Sequence, residues 1–177
     1  LGIFYQAFTQ FLGFNNYGDE YKVMGLSGYG ENQYSDMVDE VIKSKKENEF
    51  ELNLKFFNHH KNNLSMTWNN CEPKIPYLFN NNINELFKGF IKSKEGSQDQ
   101  MNLSFSVQKK FEDILLNYIS FHKKKYDIDN LCLSGGCAMN SLANGKIIEK
   151  LKFKKIFIPP APGDSGGAIG AAILCNN

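Results

Sequence analysis

The sequence predicts an α/β fold. Between residues 103 and 174 the pattern runs helix, strand, glycine turn, helix, strand, glycine loop, helix, an alternation typical of strands covered by helices. Two short apolar runs, residues 130–134 and 155–158, each lead into a glycine-rich stretch. The chain is 42% hydrophobic and 22% charged, a composition that supports a packed core rather than disorder.

The first elements are predicted from aromatic and glycine spacing. Aromatic residues three and four positions apart predict a helix over residues 1–14, stopped near Gly13. Asp19 suits the start of a second helix because its carboxylate can accept free backbone N–H groups. The glycines from Gly25 onward predict a loop after that helix.

The middle of the chain carries weaker patterns. Apolar spacing predicts an amphipathic helix over residues 35–46, and alternation predicts a strand over residues 50–57. Residues 58–100 are rich in Asn and weakly patterned, so we expect loops there and a helix around residues 83–92.

The C-terminal part is the most regular. A stripe at 3.6-residue spacing predicts a long helix over residues 103–125. Further predicted elements are a strand at 130–134, a helix at 138–151, a strand at 155–158 and a helix at 166–174. The two strands should be parallel neighbours, because a helix connects them.

Charge and cysteine content narrow the class of protein. The formal net charge of +1 gives no electrostatic reason to expect a nucleic-acid partner. No apolar run approaches the ~20 residues of a membrane span, and no signal peptide is recognised. The cysteines form no CxxC pair, so we expect buried, reduced thiols in a cytoplasmic protein: Cys71, Cys132, Cys137 and Cys175. Since the chain starts at Leu1, we expect that an upstream part is absent.

The first candidate site is the strand–glycine–helix segment at residues 133–140. Gly135 and Gly136 allow a tight turn and a close backbone approach to a ligand, and a helix start favours an anion. Asn140 is predicted one turn into the helix, where its amide could reach a sugar hydroxyl or a base edge. An ordinary strand-to-helix turn with Asn on the surface explains the same residues equally well.

The second candidate segment spans residues 159–172, where prolines stiffen a loop that leads into a helix of glycine and alanine. Asp164 could ligate a metal or cap the helix that follows. Each helix glycine costs about 1 kcal/mol relative to Ala. The segment therefore suggests a close approach of backbone to a strand or to a bound nucleotide.

The third candidate segment, residues 18–30, combines carboxylates, a lysine and a glycine loop. Glu20 and Lys22 cannot share a helix face at this spacing, so one could face a ligand. The alternative is an exposed helix start followed by a loop.

Together, the three candidate segments resemble the carbamoyltransferases that modify nodulation factors, cephamycins and aminoglycosides. Their sequences are GDEYKVMGLSGYG, LSGGCAMNSLANGKI and PPAPGDSGGAIGAA. They are more distantly similar to the tRNA threonylcarbamoyl-transfer enzymes. The resemblance implies a fold of the actin, sugar kinase and Hsp70 superfamily (ASKHA), with a central mixed sheet and packed helices. It implies that residues 1–177 are a single domain, the C-terminal half of the actin-like domain, without the upstream half and the domain that forms carbamoyl-adenylate.

The same resemblance implies the roles of the site residues. Asp164 matches a catalytic aspartate that helps to ligate Fe(II) or another divalent metal. The nucleotide, ATP or carbamoyl-adenylate, would be bound by Glu20, Lys22, Gly30, Gly135, Gly136, Asn140, Gly163 and Gly166. Carbamoyl phosphate would be the donor, and the hydroxyl or amine of a small-molecule or sugar acceptor would receive the carbamoyl group, with the remaining domains as partners.

Two departures from the family pattern limit this chain. An HxxxH metal motif is absent, since the histidines are His59, His60 and His122, and Ser27-Gly28 replaces the usual Ala-Pro. We therefore expect this piece alone to be inactive. The alternatives are a non-catalytic nucleotide-binding scaffold of the same fold, and half of a sugar-kinase or Hsp70-like ATPase.

Overall fold

A computed structural model describes residues 1–46, 49–62, 64–90 and 96–176 of the protein. These residues divide into a first unit, Leu1 with Ile3–Ile114, and a second unit, Gly2 with Leu115–Asn177. The seven described α-helices are α1 Gly2–Phe11, α2 Glu20–Ser27, α3 Ser35–Val41, α4 Asn81–Leu86, α5 Gln98–Tyr126, α6 Ser141–Leu151 and α7 Gly166–Cys175. The six described strands are β1 Ile42–Ser44, β2 Phe50–Leu52, β3 Thr67–Asn69, β4 Glu72–Lys74, β5 Asn130–Cys132 and β6 Lys155–Phe157.

The core of the first unit is aromatic and grows from α1. Phe4 and Phe8 are fully buried because their spacing places both on one helix face. The Phe8 ring meets Phe87 edge-on at 5.6 Å between centroids, and Tyr5 meets Phe111 of α5 in the same way at 5.2 Å. Such edge-to-face pairs add to the hydrophobic contribution of burial. The predicted helix over residues 1–14 is confirmed.

The segment after α2 lies directly against α5. The Glu31 amide donates to Asn102 Oδ1 at 2.8 Å, and the Tyr34 amide donates to Ser106 Oγ at 3.1 Å. A Cβ on Gly30 would overlap the Met101 carbonyl oxygen. Gly30 therefore lets the chain pack on the backbone of a helix, which a larger residue would prevent.

Several predicted boundaries in the first unit are wrong. The helix predicted over residues 35–46 ends at Val41, and Ile42 begins β1, which pairs with β2 in antiparallel register. The strand predicted over residues 50–57 stops at Leu52, where the Asn53 side chain accepts from the Lys55 amide and starts a 3-10 turn. The helix expected around residues 83–92 is α4, which begins and ends earlier. Residues 91–92 lie outside the described residues.

One hairpin was not predicted at all. Strands β3 and β4 pair antiparallel across a two-residue turn formed by Asn70 and Cys71. Both turn residues have positive φ, 49° and 65°, as hairpin turns of this length require. The sequence carried no Asn-Gly or Asp-Gly signal, so the turn could not be recognised.

The second unit is built on β5 and β6, which pair in parallel as predicted, with Leu131 opposite Ile156. Helix α6 connects them and packs with the C-terminal part of α5. The buried cluster consists of Leu116, Ile119 and Ile147, with Leu131 and Ile156 among the partly buried residues packed against it. The apolar stripe of α5 and the apolar strands therefore meet in one small core.

The α/β class is confirmed, but the predicted central mixed sheet is not found among the described residues. Their strands form three separate two-stranded sheets. The ASKHA fold and the single-domain organisation stay predictions. Three of the four cysteines, Cys71, Cys132 and Cys175, are exposed rather than buried as expected. None of the described helices combines the length and apolar character needed to cross a membrane.

Candidate functional site at the strand ends of the second unit

The first and second glycine-rich segments meet at one edge of the parallel strand pair. The Leu133 amide donates to the Phe157 carbonyl at 3.0 Å, which extends the pairing beyond β5 and β6. Next along the chain, the Gly135 amide donates to the Pro162 carbonyl at 2.7 Å. The convergence expected from parallel strands is therefore present.

Gly135 has a backbone conformation that only glycine adopts readily. Its φ is +94° and its ψ is 166°, a region essentially closed to residues with a Cβ. This conformation turns the chain from β5 into a 3-10 turn, Gly136–Met139. Gly136 is exposed, and a Cβ there would meet nothing within 4 Å. Gly135 is therefore needed for the conformation of the turn, whereas Gly136 leaves the backbone accessible to a ligand.

The amides at the start of this turn are available to a ligand. The Ala138 amide is used within the turn, where it donates to the Gly135 carbonyl at 3.0 Å. Among the described residues, the amides of Gly136 and Cys137 have no acceptor. Burial raises the pKa of the Cys137 thiol, which keeps the side chain neutral beside them. Two adjacent free N–H groups can donate hydrogen bonds to an anionic oxygen.

Asn140 is not one turn into the helix, and that prediction is wrong. It is the N-cap of α6, and its Oδ1 accepts from the Ala143 amide at 3.0 Å. The separate 3-10 turn shifts the start of the helix from residue 138 to Ser141. Asn140 therefore stabilises the helix start through one side-chain oxygen.

Sequence reasoning missed Asn144, which lies one turn further along α6. Its Nδ2 donates to the Ala138 carbonyl at 2.7 Å and so fixes the glycine turn. Its Oδ1 is buried and lacks a hydrogen-bond partner among the described residues, an arrangement that is costly unless a ligand or water donates to it. The signal was the four-residue spacing of Asn140 and Asn144, which places both on one helix face.

The second glycine-rich segment forms a tight turn before α7. A Cβ on Gly163 would overlap the end of the Met139 side chain, and one on Gly166 would overlap the Ala161 carbonyl oxygen. The Gly166 and Gly167 amides donate to the carbonyls of Gly163 and Asp164, at 3.0 and 3.1 Å. These two amides are therefore used by hydrogen bonds within the turn and are not free for a ligand.

Asp164 lies on this turn with an exposed side chain. The N-cap residue of α7 is Ser165, and no side chain caps the helix there. Within the described residues, the Asp164 carboxylate has no hydrogen-bond or ion-pair partner. It is therefore a free acceptor next to the meeting point of the two loops.

The described residues do not supply a complete metal site. No group of three His, Cys, Asp or Glu side chains among them could hold a metal ion. Asp164 offers one oxygen ligand, whereas an iron site of the two-histidine, one-carboxylate kind needs three protein ligands. The described residues therefore offer one possible ligand, Asp164, and metal binding by the complete protein stays a prediction.

The third segment belongs to the first unit. Lys22 pairs with the buried Asp19 at 2.9 Å, and its ammonium lies 5.4 Å from the centre of the Phe14 ring. Asp19 also accepts from the Asn16 amide at 3.1 Å instead of capping α2. Glu20 and Gly30 are both partly exposed. The nucleotide contacts of Glu20, Lys22 and Gly30 stay predictions.

Comparison with known proteins identifies relatives over the whole chain. The family described as "Carbamoyltransferase N-terminus" matches residues 1–173. An uncharacterised Synechocystis protein is 38% identical over 176 residues, 98% of this chain and 26% of the relative. The nodulation protein NolO of Bradyrhizobium diazoefficiens is 29% identical over 178 residues, 100% of this chain and 28% of the relative. NolNO of Sinorhizobium fredii is also 29% identical over 178 residues, 100% of this chain and 23% of the relative. The chain thus spans about a quarter of the length of these relatives.

Proposed function

The chain belongs to the carbamoyltransferase family, and we propose that it forms the nucleotide-facing part of an ATP-dependent O- or N-carbamoyltransferase. The observation that carries this proposal is the meeting of the two glycine-rich loops, where the Gly135 amide bonds to the Pro162 carbonyl. In open α/β sheets, ligands bind in crevices outside the carboxyl ends of the strands. Both loops lie at those ends.

In the proposed reaction, carbamoyl phosphate, water and ATP give carbamoyl-adenylate, phosphate and pyrophosphate. The acceptor's oxygen or nitrogen attacks the carbamoyl carbon, the bond to the adenylate oxygen breaks, and AMP leaves. Negative charge develops on the carbamoyl oxygen and on the departing phosphate. Hydrogen-bond donors fixed beside these atoms would stabilise that charge more than they stabilise the ground state.

The residues of this chain fit the phosphate end of such a ligand. The free amides of Gly136 and Cys137 would donate to phosphate oxygens. Asn144, fixed through its Nδ2, would place its unpaired Oδ1 towards a donor such as a ribose hydroxyl. The Asp164 carboxylate would accept the proton of the attacking hydroxyl or amine, or bind a metal if other segments complete the ligand set.

This assignment also predicts that the chain cannot act alone. It spans about a quarter of its curated relatives, and the formation of carbamoyl-adenylate would be carried out elsewhere in the complete protein. The acceptor that we propose, a sugar or a natural product, comes from the resemblance of the three motifs to enzymes that modify nodulation factors, cephamycins and aminoglycosides.

The test uses the complete protein, ATP and carbamoyl phosphate labelled in its carbamoyl carbon. We expect label to enter an acceptor, and Asp164→Ala to reduce kcat at least ~100-fold, the scale of a lost catalytic acid or base. Since Asp164 is exposed and unpaired, the variant should unfold at an unchanged temperature. Glu149→Ala, which removes an exposed carboxylate from α6, is the matched control and should keep full activity.

Failure would take one of two forms. If the protein binds ATP but transfers no label, it is a nucleotide-binding scaffold rather than an enzyme. If transfer occurs and Asp164→Ala retains it, the carboxylate has no part in the reaction.

A further inference from the structure

The net charge of +1 on the whole chain conceals an uneven distribution between the two units. The sequence of the first unit holds twelve lysines and fifteen acidic residues, a formal net charge of −3. That of the second unit holds eight lysines, three aspartates and one glutamate, a formal net charge of +4. A local positive excess attracts anionic partners even when the total charge is near zero. The second unit therefore has an electrostatic reason to bind a polyanion, although the whole chain does not.

Seven of these eight lysines lie at one end of the second unit. The parallel pairing sets Asn130 opposite Lys155, so β5 and β6 begin side by side. The segments that lead into the two strands also meet, since the Lys154 amide donates to the Asp129 carbonyl at 2.7 Å. These segments, the strand start and the helix ends before them carry the seven residues of the lysine face: Lys123, Lys124, Lys125, Lys150, Lys152, Lys154 and Lys155.

The framework of the lysine face is held by hydrogen bonds between the ends of α5 and α6. Lys123 Nζ donates to the Leu151 and Lys152 carbonyls at 2.8 and 2.9 Å, and the last carbonyls of a helix need such donors. The end of α5 is closed by the Ile128 amide, which donates to the Lys123 carbonyl at 3.2 Å. Asp127 takes the left-handed conformation, φ 50°, that this type of helix end requires. The face is therefore a fixed surface.

The positive charge of the lysine face is neutralised only in part. Lys154 pairs with Asp129 at 2.5 Å, and the other acidic residues nearby are Asp127 and Glu149. Seven lysines against three acidic residues leave a formal charge of +4. The dipole of a helix favours lysines at its C-terminus, but it acts within the last turn and does not explain a lysine in a strand. Among the described residues, no carboxylate pairs with four exposed lysines of the face: Lys124, Lys150, Lys152 and Lys155.

Two exposed side chains with apolar surface lie among these lysines, in the turn between α5 and β5. Tyr126 is 61% exposed and Ile128 is 42% exposed. The Tyr126 ring stacks on His122 with 5.7 Å between centroids and an angle of 6° between the rings. Surfaces that lie in the interface of a bilayer combine lysines, which meet anionic headgroups, with aromatic and aliphatic side chains that enter below them. The lysine face has this combination.

Nucleic acid is the alternative anionic partner, and two observations favour a lipid surface instead. Nucleic-acid phosphates are well matched by arginine, whose planar guanidinium donates two parallel hydrogen bonds, and this sequence contains no arginine. Lysine is a point charge on a flexible stem and suits the diffuse negative potential of a membrane surface. Ile128 would lose exposed apolar area in a bilayer interface, whereas the hydrated phosphates of a nucleic acid would leave that area in water.

We propose that the lysine face docks onto a bilayer surface that contains anionic phospholipids. Lys124, Lys150 and Lys155 lie at the headgroup phosphates, and Tyr126 and Ile128 enter the interface between them. The face is at the amino ends of β5 and β6, whereas the glycine turn of the candidate nucleotide site follows their carboxyl ends. Docking does not rest on the proposed transfer reaction, because it needs neither ATP nor carbamoyl phosphate.

The experiment is flotation of the complete protein with lipid vesicles in the absence of nucleotide. One set of vesicles is phosphatidylcholine alone, and the other contains about 30% phosphatidylserine, an anionic lipid. We expect the partition coefficient to be at least ~10-fold higher on the anionic vesicles, since each lysine near such a surface contributes about 5-fold. Raising the salt from about 0.1 to 0.5 M should remove most of that gain by screening. Equal binding to the two sets, or a gain that salt does not reduce, overturns the proposal.

Variants locate the binding on the lysine face. The double variant Lys124→Gln, Lys155→Gln should lower the partition coefficient on anionic vesicles at least ~10-fold. The matched control is Lys61→Gln, Lys88→Gln, which removes two exposed lysines from the first unit and gives the same net charge. It should bind like the unaltered protein, and an equal loss in the two double variants overturns the proposal. Ile128→Ser should lower the partition coefficient by about 3-fold through lost apolar contact.

Two further measurements keep the result unambiguous. The unfolding temperature is measured for every variant, and if the double variant of the lysine face is misfolded, Ile128→Ser and the dependence on lipid charge decide the question. A single-stranded RNA of about 20 nucleotides is titrated in parallel, and tighter binding to it than to anionic vesicles overturns the proposal in favour of nucleic acid. Loss of carbamoyl transfer would leave vesicle binding unaffected, so this proposal and the proposed function can fail separately.

Discussion

The two units use their apolar residues and glycines in different ways. In the first unit, Phe4 and Phe8 are fully buried, and Gly30 is explained by the helix backbone it packs against. In the second unit, no residue of α7 is buried, although most of the helix is apolar, and Leu174 is 78% exposed. Large exposed apolar surfaces usually mark a site of interaction. The sequence of the first unit is accounted for by its own packing, whereas much of the second unit's sequence is not.

The largest expected difference in stability lies between a substitution in the core of the first unit and one on the exposed surface of α7. Phe8→Ala should lower the free energy of unfolding by about 3–5 kcal/mol, since it removes a fully buried ring and leaves a cavity. Ile169→Ala, on the exposed surface of α7, should change it by less than about 0.5 kcal/mol. Chemical denaturation of both variants measures the contrast. Equal losses would show that α7 is packed as tightly as α1 and would break the comparison.

A smaller difference in stability is expected between alanine substitutions at two glycines of the first unit. Gly30→Ala should destabilise by about 1–3 kcal/mol, because the added Cβ overlaps the Met101 carbonyl oxygen and forces the segment off α5. Gly25→Ala, inside α2 with nothing within 4 Å of its Cβ, should stabilise by about 0.5–1 kcal/mol through helix propensity. Thermal unfolding decides between them. A neutral Gly30→Ala would show that this glycine is not needed for packing and would favour its predicted nucleotide contact.

The regular parts of the fold could be predicted because local pattern and tertiary contact agree there. The stripe of α5 and the apolar strands β5 and β6 point to the same core, so the type of each element was predicted correctly. The boundary between α3 and β1 could not be predicted, because the pairing of Ile42 with Leu52 is a contact between distant residues. The hairpin turn at Asn70 and Cys71 lacked the usual glycine.

The position of the candidate site could be predicted from sequence, but the roles of its asparagines could not. Parallel strands with glycine after each one predict converging loops, and the bond from Gly135 to Pro162 confirms this. The role of Asn140 depended on where the helix begins, and the intervening 3-10 turn moved that start by three residues. The four-residue spacing from Asn140 marked Asn144 as a candidate, but its bond to the carbonyl of Ala138 depends on the 3-10 turn, which the sequence did not predict.

We propose that the free amides of Gly136 and Cys137 bind the phosphates of a nucleotide. A negative charge introduced at this turn tests that proposal. Gly136→Asp introduces a carboxylate at an exposed position with nothing within 4 Å of its Cβ, and Gly170→Asp does the same on α7. The measurement is the Kd of the protein for ATP by calorimetry. We predict that Gly136→Asp raises the Kd at least ~10-fold, about 1.4 kcal/mol, through repulsion of the phosphates, and that Gly170→Asp leaves it unchanged. Equal ATP affinity in the two variants would contradict a phosphate site at this turn.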